Sequence, residues 1–249
     1  MTHKFTPKRL AVALCATSAA TIFLGVTTTA YTANAEMRGF DQTGFSEIRL
    51  GSGLEMVVEV GPAFSIAVEG EADAIDAVDI RMEGAALVVD RKRNWREMRI
   101  FRSQDQQRVL LTVSLPLISA LNAGAGAHIE VSGIMEVPLQ ATASAGASLR
   151  LNGLDGADVA ITASSGASVM ANGTCAALQA EARSGASIQA PRLACAAVTA
   201  DAQSGASVEV NGSDTLSLGA SGGGSVFAHG QGTVMREEMR SGGSITVKR

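Results

Sequence analysis

Aromatic residues, cysteine, proline and histidine are all scarce in this sequence, which holds one Trp, one Tyr, five Pro, three Cys and three His in 249 residues. Beyond residue 35 no Tyr remains, so little is present to stack on sugar rings, and a polysaccharide-cleaving site of the usual kind is disfavoured. The two histidines in that part, His128 and His229, are not spaced with Cys or acids as a metal set requires, and no metal or other cofactor is expected. Long apolar runs are also missing after residue 35, which excludes a spanning helix there. Helix signals are nearly absent. What is abundant is Gly (27 residues), Ala, Ser and Val, a composition of short strands joined by tight turns.

The first 35 residues read as a secretory signal peptide. Lys4, Lys8 and Arg9 form a basic start, Leu10–Val26 an apolar stretch, and Ala33-Asn34-Ala35 a small-residue cleavage pattern that places the mature start at Glu36. Residues 36–249 then carry 17 Lys and Arg against 24 Asp and Glu, a net charge of −7. Such a surface does not favour nucleic acid or anionic membranes. Export to the periplasm or cell surface is the expectation.

A repeat dominates the remainder. Gly126, Gly146, Gly166, Gly185, Gly205, Gly223 and Gly242 recur at intervals of 18 to 20 residues. The third residue after each is aliphatic (Ile129, Leu149, Val169, Ile188, Val208, Val226, Ile245), the fourth varies freely, and the fifth is again apolar. Apolar residues also stand three and five positions before each glycine, except that Glu237 breaks the last copy. Alternation of this kind marks strands with one buried face. Units of about 20 residues that cannot bury their own apolar edge must stack, and the fold expected is an all-β parallel β-helix, a solenoid with a narrow, Ala-rich interior. Residues 121–249 supply seven regular repeats, and residues 36–120 are expected to form less regular coils that cap the stack, since an open end would leave N–H and C=O groups unpaired. Asn152-Gly153, Asn172-Gly173 and Asn211-Gly212 read as turns.

The succession Phe45-Ser46-Glu47-Ile48, Leu54–Val60 and Val109–Pro116, leading into Gly124-Ala125-Gly126-Ala127 and the Gly-Ala-Ser repeats, resembles the head GIN domain of putative autotransporter adhesins. The resemblance runs from about Phe45 to His229. It implies an exported β-helical protein of a family that carries an adhesin label and whose biochemical activity is largely unknown. The sequence ends two residues after Val247, so a translocator barrel for self-export is not expected.

Candidate sites are few. Position two after each glycine forms a column, His128, Ser148, Ser168, Ser187, Ser207, Ser225 and Ser244, in which Ser148 beside His128 is the one nucleophile-and-base pair to examine; repetition favours a hydroxyl ladder. Glu181 and Asp201 occupy the same position in adjacent coils, about 5 Å apart, and read as exposed acids eased by Arg183. Gly156-Ala157-Asp158 and Gly212-Ser213-Asp214 lack the period of a calcium-binding repeat and read as turns. Cys175 and Cys195 each lie ten residues before a repeat glycine, so they stack in neighbouring coils as either a disulfide or two buried thiols. Cations and aromatics concentrate only in Arg91–Arg102, where Arg91, Lys92, Arg93, Trp95, Arg96, Arg99 and Arg102 form the candidate binding segment for phosphate or uronate groups of envelope or host glycans. No catalytic set is expected. The reading is a non-catalytic, adhesin-like binding module of the envelope; the alternatives are a polysaccharide-degrading β-helix enzyme and a structural partner in an envelope protein assembly.

Overall fold

The structure, a computed structural model, describes residues 36–92 and 108–249. It is a parallel β-solenoid whose coils each contribute a strand to two facing rows. Strands β1 (Glu36–Phe40), β2 (Glu47–Leu50), β3 (Glu55–Val60), β4 (Ser65–Gly70), β5 (Val78–Glu83), β6 (Ala86–Arg91) and β7 (Val109–Leu115), with the one-turn helix α1 (Ala72–Asp76), build the N-terminal end. The repeats follow as β8 (Ala120–Ala123), β9 (His128–Ser132), β10 (Leu139–Ala143), β11 (Ser148–Leu154), β12 (Val159–Ser164), β13 (Ser168–Arg183), β14 (Ser187–Gln203), β15 (Ser207–Ser221), β16 (Ser225–His229), β17 (Thr233–Arg240) and β18 (Ser244–Lys248).

Row A stacks β6, β2, β8, β10, β12, the second halves of β13, β14 and β15, and then β17. Row B stacks β7, β3, β9, β11, the first halves of β13, β14 and β15, and then β16 and β18. All of these pairings are parallel and in register at the repeat positions, so equivalent side chains form columns. The inward columns (Leu121, Ala141, Ile161, Ala180, Ala200 and Leu218, for example) are all at most 1% exposed. Trimming one of their larger members to Ala is worth roughly 2–5 kcal/mol.

The chain passes from row A to row B through a two-residue turn. In each, the two central residues have positive φ, as at Ala145 (51°) and Gly146 (72°), and the turn closes with a bond such as Ala147 N–H to Ser144 O at 3.1 Å. This is the signature of a type I′ turn, and Gly at the second position is what makes it accessible. The turns themselves stack: Gly126 N–H donates to Ala145 O, Gly146 N–H to Ser165 O, and Gly166 N–H to Ser184 O. At the opposite corner Asn152 and Asn172 are not hairpin turns. They lie inside long strands, where Asn172 Nδ2 donates to Asn152 Oδ1 at 2.9 Å. Their glycines bend the strand where a side chain has no room, since a Cβ on Gly153 would sit 1.9 Å from Gly133 O.

An eighth copy of the turn lies at Ser52-Gly53, both with positive φ. Gly53 N–H donates to Ala125 O at 2.9 Å, and Ile48, Leu50, Met56 and Val58 occupy the inward columns. The β2–β3 coil therefore stacks directly on β8–β9, with the β6–β7 coil on its other side. Beyond β6–β7 the direction of pairing reverses: β4 is antiparallel to β7, β1 to β4, and β5 to β6. Arg38 ties this cap together by pairing with Glu36 at 2.9 Å and with Asp76 at the end of α1.

Cys175 and Cys195 are register partners and form a disulfide across a Cα separation of 4.5 Å. Closing a loop of 20 residues in the unfolded chain corresponds to about 3 kcal/mol. The Cys175→Ser/Cys195→Ser double variant is expected to lose stability of that order in urea unfolding, and an unchanged midpoint contradicts it.

The C-terminal coil ends differently from the N-terminal one: among the described residues no strand pairs with the outer edge of β17 or β18. Glu237 stands over Leu218 where the inward column would continue, and Met239 over Ala220. Arg236 and Arg240 flank and pair with Glu238, whose carboxyl is held below the usual glutamate range chiefly by Arg236. Charge at the end of a column discourages a second sheet from adding. Replacing Glu237 by Leu restores the apolar column, and sedimentation velocity is expected to show self-association that the native chain lacks at the same concentration; identical profiles contradict this role.

Candidate functional site

Only the first two residues of the basic segment fall within the described residues. Arg91 ends β6, and Lys92 is anchored to the cap, its N–H donating to Ala77 O at 2.8 Å and its ammonium to Asp76 O. Arg93, Trp95, Arg96, Arg99 and Arg102 lie outside the described residues, as do residues 1–35, where a signal peptide is expected from the sequence. The connection from Arg91 to Val109 occupies the place in chain order that the two-residue turn holds in the repeats, between a row A strand and a row B strand. On either side of it, β6 and β7 keep their places in rows A and B.

The outer face of row B brings together one group that sequence spacing did not show. His128 is in register with Ser148 on one side and with Glu55 on the other, so an acid, a histidine and a serine stand in three successive strands. Glu55 escaped notice because its coil is separated from the next by the whole cap. The alignment has the composition of a nucleophilic triad and lacks its working parts. No hydrogen bond joins the three side chains among the described residues, and the Ser148 and Ser168 N–H groups donate to Ala127 O and Ala147 O at 2.9 Å, leaving neither free for an oxyanion. The remaining serines of the column repeat the same ladder position, half-buried from Ser168 to Ser225 and exposed only at Ser244.

On row A, Glu181 and Asp201 are register partners. Arg183 pairs with Glu181, while Asp201 leans over Gly219, its Oδ1 filling the space a Cβ there would need, and lies near Arg236. Glu181 thus has a cation of its own on this open face, whereas Arg236 pairs with Glu238 and attracts Asp201 only at longer range. Asp155 and Asp158 flank a turn in which Thr174 Oγ1 donates to Asp155 Oδ1 at 3.1 Å. Asp214 accepts from its neighbour Ser213. His229 meets Glu209 at 2.8 Å across adjacent coils. Among the described residues no group of three or more His, Cys, Asp or Glu is placed to hold a metal, and no helix is long and apolar enough to cross a membrane.

Known structures share this architecture. A putative adhesin from Bacteroides fragilis NCTC 9343 superposes with a TM-score of 0.72 at 11% identity, covering 87% of this chain and 98% of its own. A putative lipid binding protein from Parabacteroides distasonis ATCC 8503 gives 0.66 at 14% identity, covering 87% and 98%. A putative adhesin from the same organism gives 0.62 at 13% identity, covering 86% and 97%. At these identities the likeness is one of fold. No curated protein matches the chain. The family model described as "Putative auto-transporter adhesin, head GIN domain" matches residues 44–232, from just before the β2–β3 coil to the turn after β16, and the chain belongs to that family.

Proposed function

We propose that the protein is an exported, non-catalytic adhesin-like module of the bacterial envelope that binds anionic glycans through the Arg91–Arg102 segment. Family membership supports an adhesin-like role, since the family is described by adhesion and not by a reaction. The observation that carries the choice of ligand is charge. Seven cations fall between Arg91 and Arg108 with only two acids, on a chain whose residues 36–249 otherwise carry a surplus of carboxylates. Guanidinium groups pair bidentately with phosphate and uronate, and Trp95 adds a face for a sugar ring. At the start of the segment Lys92 is held to the cap through Ala77 O and Asp76 O, and the strands on either side of the segment keep their places in the ladder.

Binding of the full exported chain to an array of bacterial surface and host glycans tests this, with an Arg93→Ala/Trp95→Ala/Arg96→Ala variant alongside. Uronate- or phosphate-bearing glycans are expected to bind, weakening as salt rises, and the variant to lose at least tenfold in affinity. Equal binding by both proteins removes the segment from the site, and binding by neither removes the glycan in favour of a lipid or an envelope protein. A fluorophosphonate probe is expected to leave Ser148 unlabelled; stoichiometric labelling lost in His128→Ala contradicts the non-catalytic reading.

A further inference from the structure

The structure assigns a second binding surface, a groove on the outer face of row A, to a linear, uncharged glycan chain. It rests on the reading that the protein binds glycans and adds a contact of opposite chemistry to the basic segment. The groove has a volume of about 740 Å³ and crosses the starts of β2, β8, β10, β12 and the row A halves of β13 and β14. Six strands at about 4.8 Å make it roughly 24 Å long, parallel to the solenoid axis. Its direction and open form suit an extended polymer.

The lining decides the class of ligand. Its polar side chains are Glu47, Gln140, Asp158, Gln179 and Thr199, with Ser119 at one end, and no cation is among them. Carboxylates, amides and hydroxyls match the mixed donor and acceptor character of sugar hydroxyls, whereas an anionic chain would meet two like charges and no counter-charge. Between these groups lie Ala120, Ala160, Ala177 and Ala197. Their small side chains leave a shallow floor on which the apolar faces of sugar rings can rest. A peptide strand has less to hold it, because it would need an open sheet edge, and each strand here is already paired on both sides: β10 with β8 and β12, for example. Glu181 and Asp201 stand two residues beyond Gln179 and Thr199 and outside the groove, and Glu181 is paired with Arg183.

Ala160 supplies the test, since it is half-buried on the outer face and can be enlarged without entering the core. Calorimetric titration of the full exported chain would use uncharged hexasaccharides, β-1,4-linked glucose and N-acetylglucosamine, with hexagalacturonate for comparison. Wild type is expected to bind an uncharged hexasaccharide. Ala160→Arg and Gln140→Ala/Gln179→Ala are expected to weaken that binding at least tenfold with unchanged melting temperature, while the Arg93→Ala/Trp95→Ala/Arg96→Ala variant keeps it. Failure of wild type to bind either uncharged ligand, or full binding by both groove variants, overturns the proposal. Hexagalacturonate binding lost only in the basic-segment variant would at the same time leave the reading of that segment standing, so the two can fail separately.

Discussion

The backbone ladder along the solenoid axis governs the rest of this structure. Each coil bonds through its N–H and C=O groups to its neighbours along the axis, with register shifts absorbed at the corner opposite the turns and early in β17, so a residue's neighbours at the repeat positions are its equivalents one coil away. Columns follow from that constraint. Alanine recurs inside because opposing rows lie close; Asn152 stacks on Asn172; Cys175 meets Cys195; and stacked turns bond through their glycine N–H groups. The turn glycines meet open space and serve for their positive φ, whereas Gly153 and Gly173 at the opposite corner are needed because successive backbones approach too closely there for a Cβ.

Much of this is legible in the sequence because neighbouring coils in space are, from Gly126 onward, neighbours in the chain, and the period of about 20 residues is uninterrupted. The coil at Gly53 obeys the same pattern but is 73 residues from the next copy, and periodicity searched at a fixed interval passes over it. The antiparallel pairing of β1, β4 and β5 leaves no mark either, since a half-buried strand alternates in the same way whether parallel or antiparallel. Asn-Gly reads as a hairpin turn by local preference, yet here the ladder on both sides holds the chain extended and turns the pair into a bend. The groove is not visible in sequence at all, because its lining is drawn one to three residues at a time from six separate coils.

In a repeating scaffold, function is to be sought where a column departs from its own rule. His128 in a serine column is one such departure, and the ladder already consumes the backbone donors that chemistry there would need. Glu237 in an apolar column is another, and it ends the stack. Two larger departures carry the functional reading: the cationic insertion at the β6–β7 corner and the groove of small and amide side chains on row A. In the function proposed above the first takes anionic groups and the second a neutral chain, a division in keeping with a family described by adhesion.

The central claim is that the β2–β3 coil lies between the β6–β7 coil and the β8–β9 coil, against the order of the chain. Arg49 and Asn122 are register partners on the outer face of row A, and Arg49 also partners Val88. With Cys175 and Cys195 left in place, an Arg49→Cys/Asn122→Cys variant is predicted to close a second intrachain disulfide under mild oxidation, identified by mass spectrometry of its peptides, while Val88→Cys/Asn122→Cys stays reduced. Closure of the Val88 pair and not the Arg49 pair would place β6 against β8 and contradict the account.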